Sequence, residues 1–214
     1  MKKKVSKKAK KDTKYKNVAN FLFEVGILSK TPRSGFHFLG TGVQTVSEHI
    51  LRTVYIGYSL AMMESADVFK VMRMCLLYDL GEARTSDLNY VHQMYVEREE
   101  RKAIADSAGK VPFGEDIEVV IDEYEERKSP ESIIAKDADN LEWIMSLKEQ
   151  VDIGNKRAED WISSAVKRLK TDVGKKLASE IMKTDSNAWW FGDKDDEWWV
   201  SRNKKKSKIK WNHN

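Results

Sequence analysis

Cysteine is almost missing from this chain: Cys75 is the only one in 214 residues. No intrachain disulfide is possible, which predicts a reducing, cytoplasmic setting. Proline is nearly as scarce, with three in the whole chain. So few breakers leave long stretches free to be helical. No apolar run approaches the roughly twenty residues that a membrane span needs. The lysine-rich start is not followed by an apolar segment, so it does not read as a secretory signal. Strand-type alternation is nearly absent and no long internal repeat is visible. The expected fold class is all-α.

What is present is one generous domain's length, enough to bury a core without staples. Charge is abundant but unevenly placed. Residues 1–16 carry +8 and residues 201–214 carry +6, so a net charge of +4 leaves −10 for the middle. An acidic globule with two basic tails is not a uniformly basic nucleic-acid binder. The tails read as solvated and disordered, and nucleic-acid contact through their lysines is not favoured. The expected organisation is a basic tail over 1–16, a body over 17–185, a Trp-rich extension over 186–202 and a second basic tail over 203–214.

Helical patterning begins near Val18, where Val18, Phe21, Leu22, Val25 and Leu28 recur at three- and four-residue steps. Pro32 and Gly35 break it around Arg33, and Phe36 to Gly42 reads as loop. Thr45 and Glu48 have capping-box spacing for a helix carrying His49 in its first turns. Asp67 caps the next helix. The chain from Tyr90 to Ala108 is charged and helical in pattern, and Ile117 to Glu126 forms a short acidic helix. Ser129-Pro130 starts another helix, with serine at the cap and proline at the first position. Residues 157–183 form one further amphipathic helix or a pair.

Two stretches carry chemistry. In Met74-Cys-Leu-Leu-Tyr-Asp-Leu-Gly-Glu-Ala-Arg-Thr-Ser-Asp87, an apolar helix runs into three carboxylates, Asp79, Glu82 and Asp87. Buried carboxylates are costly unless paired, hydrogen-bonded or bound to metal. The stretch is either a helix reaching the surface or the floor of a charged site. In the helix over 131–150, Ile133, Ile134, Ala138, Leu141, Ile144 and Met145 share a face. At about 100° per residue, Asp137 falls inside that apolar arc and Asp139 outside it. Periodicity alone therefore nominates Asp137 as the buried acid.

Four segments, in order and spacing, resemble the HD-domain phosphohydrolases, specifically the 5′-deoxynucleotidases and their oxetanocin-related relatives. They are Pro32-Arg-Ser-Gly-Phe36, Val46-Ser-Glu-His49, Asp79-Leu-Gly-Glu-Ala-Arg-Thr-Ser-Asp87 and Lys136-Asp-Ala-Asp-Asn-Leu-Glu142, and the resemblance spans roughly 18–185. It implies a helical bundle with a divalent metal in a central cleft. The implied metal ligands are His49, Asp79 and Asp139; the family pattern selects Asp139 rather than Asp137. The motif's histidine position is Tyr78 here. One histidine and two carboxylates with water suit Mn, Co or Mg better than Zn, and His37 or His92 could add a nitrogen. The resemblance further implies Glu82 as the catalytic acid, Asp87 as an acid positioning or protonating the ester oxygen, and Arg33 on the substrate phosphate. The implied substrate is a nucleoside 5′-monophosphate, with Phe36 a candidate to stack on the base. Tyr78 favours one alternative, a catalytically impaired nucleotide-binding protein of the same fold.

The resemblance also implies a homodimer or larger homo-oligomer. Trp189, Trp190, Trp198 and Trp199 give a separate reason, since so much aromatic surface is expected to be covered, by the body or by a second subunit.

Overall fold

The computed structural model describes residues 7–192 together with 195 and 199, with side chains from residue 13 onward. The first helix, α1 (Lys7–Val25), starts well before Val18 and runs into a 3-10 turn over Gly26–Ser29. It therefore occupies part of the segment expected as a disordered tail. Lysine and alanine are good helix formers, and no proline or glycine precedes Gly26. Residues 1–6 and 203–214, with Trp198, lie outside the described residues.

The loop after this turn is fixed to the next long helix. Arg33 N–H donates to the Gln44 carbonyl at 2.8 Å, and Val46 N–H donates to Thr31 at 2.9 Å. Within that loop, α2 (Phe36–Leu39) is a single helical turn where a loop was expected, closed by Gly40 at φ 76°. The long helix α3 (Val46–Glu64) opens on the expected capping box, with Thr45 N–H donating to Glu48 Oε2 at 2.6 Å. Asp67 caps α4 (Val68–Leu77) by accepting from Lys70 N–H at 3.0 Å.

Two single turns follow, α5 (Glu82–Thr85) and α6 (Tyr90–Gln93), before α7 (Glu100–Ala108). The helix expected over Tyr90–Ala108 is thus interrupted at 94–99. Then come α8 (Gly114–Glu126), α9 (Pro130–Asp152), α10 (Lys156–Val166), α11 (Asp172–Lys183) and the short α12 (Ala188–Phe191). Ser129 caps α9 with Pro130 in its first turn, as the sequence indicates. Among the described residues there is no β-strand, only an isolated bridge between Pro32 and Thr45. None of these helices is long and apolar enough to cross a membrane.

The core is built around α9. Its Ala135, Ala138, Leu141, Ile144 and Leu147 are fully buried. They pack with Leu60 of α3, Met74 and Cys75 of α4, Tyr124 of α8 and Ile162 of α10. Each large apolar side chain contributes about 2 kcal/mol on burial. Because α9 is covered on several sides, its amphipathic signal is weak. Gly57 lets α3 and α4 cross closely, since a Cβ there would lie 2.6 Å from Cys75 Sγ. A smaller core joins Phe21, Leu80, Ile104, Val111, Ile117 and Ile121. Leu80 is held in it, which helps fix the turn carrying Asp79 and Glu82.

Two of the C-terminal tryptophans, Trp189 and Trp190, are 72% and 42% exposed in the single chain. Trp190, Phe191 and Trp199 gather against one another, with ring centroids 5.0 to 5.7 Å apart.

Candidate active site

Four elements deliver the expected residues to one place. His49 comes from the second turn of α3, and Tyr78 and Asp79 from the end of α4. Glu82 opens α5, Asp87 follows it, and Asp139 projects from the middle of α9. Arg33 enters on the loop bonded to the start of α3. A cleft of about 400 Å³ is lined by Arg33, Tyr78, Asp79, Glu82, Asp87 and Asp139.

At its floor, His49 is fully buried. Its Nδ1 is hydrogen-bonded to Glu142 Oε2. Glu142 is held in turn by Arg52, whose Nε and Nη2 donate to Oε1 at 2.9 and 2.7 Å, and by Gln44 at 2.6 Å. Burial pushes the Glu142 carboxyl up, but His49 and Arg52 more than offset it and hold it at about 2. This buried carboxylate orients the imidazole so that Nε2 points toward Tyr78, Asp139 and Asp79.

Three oxygens meet that nitrogen. The Tyr78 hydroxyl lies 2.5 Å away, Asp139 Oδ1 3.1 Å and Asp79 Oδ2 3.8 Å. Asp139 Oδ2 receives Lys136 Nζ at 2.7 Å. Burial disfavours the Asp139 charge, yet Lys136 and His49 hold its carboxyl well below the usual range. Asp79 behaves oppositely. Burial drives it up to about 6, against the pull of His49 and Arg33.

The outer part of the site pairs a cation with two acids. Arg33 Nη1 stands 3.6 Å from Asp87 Oδ2, which also accepts from Ser34 N–H at 2.8 Å. Burial opposes the charge on Arg33, but Asp87 and Asp79 keep the guanidinium protonated. Glu82 is pushed up to about 9 by burial first and then by Asp79 and Asp87. It therefore carries a proton at neutral pH, although Arg98 approaches Oε1 at 3.4 Å. Its Oε2 is buried without a hydrogen-bond partner.

The structure thus brings together Arg33, His49, Tyr78, Asp79, Glu82, Asp87 and Asp139. Asp137, nominated by periodicity, is indeed buried but faces away from the cleft. It accepts from Lys170 and Thr171 N–H and from the Thr171 hydroxyl at the entry to α11. His37 is exposed on α2, and His92 pairs with Asn89 at 3.2 Å. Phe36 is buried edge-on to Trp143 at 5.5 Å and serves packing. Sequence reasoning missed Glu142, Arg52 and Lys136 as site groups. Glu142 and Lys136 lie three residues either side of Asp139, so helical spacing was the available signal.

A divalent ion can be tested against these donors. Asp79 Oδ2 is buried with no hydrogen-bond partner, an expensive state unless a cation or ligand contacts it. His49 Nε2 lies 3.1 Å from Asp139 Oδ1 and 3.8 Å from Asp79 Oδ2, so three groups of metal-binding type are neighbours. One imidazole and two carboxylates suit a hard cation. The donor types fit, although among the described residues no three His, Cys, Asp or Glu side chains are arranged to hold a metal ion as they stand. The Tyr78 hydroxyl on Nε2 must yield that nitrogen first.

An all-helical bundle with a histidine–carboxylate floor and an arginine at its mouth defines the class. The HD-domain family model matches residues 25–182, and the chain belongs to that family. A protein named 5′-deoxynucleotidase HDDC2 from Danio rerio is 27% identical over 146 residues, 65% of this chain and 72% of that protein. The protein of the same name from Dictyostelium discoideum is also 27% identical over 146 residues, covering 62% and 77%. Among solved structures, a conserved hypothetical protein from Pyrococcus furiosus matches with TM-score 0.66 and 24% identity, over 78% of this chain and 99% of that one. A protein described as a predicted metal-dependent phosphohydrolase from Magnetospirillum magnetotacticum matches with TM-score 0.64 and 20% identity, over 80% and 94%. These two likenesses concern the fold.

Proposed function

We propose that this cleft hydrolyses nucleoside 5′-monophosphates to nucleoside and inorganic phosphate, with a divalent metal held by His49, Asp79 and Asp139. The observation that carries the reading is the meeting of a buried cation, a protonated acid and the histidine–carboxylate floor in one cleft. Two relatives named 5′-deoxynucleotidase support the substrate class. When bound, the metal would polarise a phosphoryl oxygen and lower the pKa of a water.

The chain's own residues do the rest. Arg33 neutralises and orients the phosphate with a planar fork of donors. Asp87 holds Arg33 and the Ser34 backbone, fixing the loop that presents them. Glu82, whose carboxyl is pushed up by burial and by Asp79 and Asp87, gives its proton to the 5′-oxygen as the phosphorus–oxygen bond breaks. Such general-acid help contributes roughly a hundredfold to ten-thousandfold in rate. Water adds to phosphorus, and the nucleoside leaves with the proton from Glu82.

Mn, Co or Mg is the metal proposed, in keeping with a mainly oxygen donor set. A homodimer or larger assembly is proposed as well. The exposed Leu51, Tyr55, Tyr58 and Met62 on α3 support it, because they recur at helical spacing as an apolar row. A cytoplasmic location accords with the single buried, free Cys75. The lysine-rich ends have no assigned part in this reading.

The test is phosphate release from a panel of deoxynucleoside 5′-monophosphates with each of the three metals. Turnover with at least one is expected, and none with any metal in a folded preparation would sink the enzyme reading. One observation favours a second reading: Tyr78 sits directly on the metal-facing nitrogen. On that reading the protein binds nucleotide without turnover, and nucleotide raises its melting temperature in the absence of phosphate release.

A further inference from the structure

We infer that Tyr78 is a built-in competitor for the metal site: its hydroxyl takes the His49 nitrogen in the metal-free chain and must leave before an ion binds. The inference rests on the ligand set proposed above.

The geometry is direct. The hydroxyl is 2.5 Å from His49 Nε2 and 3.3 Å from Asp139 Oδ1, so it engages two of the three donors at once. A phenol reaches farther from the backbone than an imidazole by about 2 Å, one metal–nitrogen bond length. A tyrosine in this position therefore places its oxygen where an imidazole would have left space for an ion. An ion on Nε2 and this hydroxyl cannot share one ring nitrogen.

The ring lines the cleft on one side and lies against Tyr124 on the other, with centroids 4.8 Å apart. Releasing Nε2 requires the hydroxyl to shift from this position toward the cleft. Asp79 Oδ2 lies beside it, buried without a geometric hydrogen bond and 3.8 Å from the same His49 nitrogen, so an ion that replaces the hydroxyl would meet this carboxylate too. The apparent metal affinity is then the intrinsic affinity reduced by the fraction of chains in which the hydroxyl has let go.

The test removes the hydroxyl and keeps the ring. Wild type and Tyr78→Phe, as full chains stripped with a chelator, are titrated with Mn²⁺ by calorimetry. Tyr78→Phe is expected to bind Mn²⁺ about tenfold more tightly, the effect of losing one competing hydrogen bond. Without metal, it is expected to melt below wild type. Tyr78→His, which shortens the side chain, is the second variant and is expected to bind more tightly than wild type too. Equal Mn²⁺ affinity across the folded chains overturns the inference and leaves the proposed function standing. Weaker binding by Tyr78→Phe overturns it by making the hydroxyl a ligand. No Mn²⁺ binding by any folded chain overturns the metal reading itself, and this inference with it.

Discussion

Helix α9 carries two aspartates two residues apart, and their surroundings differ in kind. Asp137 spends both oxygens on the chain itself, accepting four hydrogen bonds from Lys170 and Thr171. Gly174 passes so near that a Cβ there would lie 2.8 Å from Asp137 Oδ2. Asp139 meets Lys136, His49 and Tyr78, all side chains, at the edge of an open cleft. A carboxylate whose partners are backbone amides and a capping hydroxyl fastens one element to another. A carboxylate held ionised by side chains beside a cleft, next to a second acid that burial pushes the other way, has the makings of chemistry.

Substitutions at the two positions should therefore fail differently. Asp139→Asn is expected to lower phosphate release by at least roughly a hundredfold, since even outer partners of a metal site matter that much. Its melting temperature should also fall somewhat, because Lys136 and His49 favour the charge that is removed. Asp137→Asn should act on the fold alone. It sets an amide against backbone donors at the entry to α11 and should destabilise the fold by about 2 kcal/mol, read by urea unfolding. Turnover per folded molecule should stay near wild type. Equal losses of turnover per folded molecule at the two positions would erase the distinction.

A pH profile sharpens it further. Glu82 titrates at about 9 in the folded chain against an ordinary carboxyl value of 4.5. The folded state thus holds a proton that the unfolded state releases, and the associated stability is full below about pH 4.5. That stability is lost as pH rises towards 9. In chelator, the wild-type melting temperature should fall more steeply from pH 5.5 to 8.5 than that of Glu82→Gln. Parallel profiles would contradict the assigned environment. The smallest effect is expected at Thr45→Ala, which removes a helix cap worth about 1 kcal/mol and should lower the melting temperature while barely touching turnover.

Much of this arrangement was legible in the sequence because it is local. The caps at Thr45, Asp67 and Ser129 depend on a few neighbouring residues and stand as read. The all-α class followed from the scarcity of breakers and of alternation. Periodicity also found Asp137 correctly as a buried acid, but burial alone does not say whether a carboxylate is held by backbone or by a site. The contact of Arg33 with Asp87 joins the loop before α2 to the segment after α5, and that of Glu142 with His49 emerges only when α3 and α9 pack. The break at 94–99 and the exposure of Trp189 were hidden for a related reason. Helical composition and aromatic area state a preference, and tertiary packing decides whether it is met.

The central claim is that Glu82 delivers a proton in a metal-dependent phosphate release. The direct measurement compares wild type with Glu82→Gln on a deoxynucleoside 5′-monophosphate at saturating Mn²⁺, with Mn²⁺ affinity measured on the same preparations. The expected result is a rate loss of roughly a hundredfold to ten-thousandfold with metal affinity unchanged. A Glu82→Gln chain that releases phosphate at the wild-type rate would contradict it.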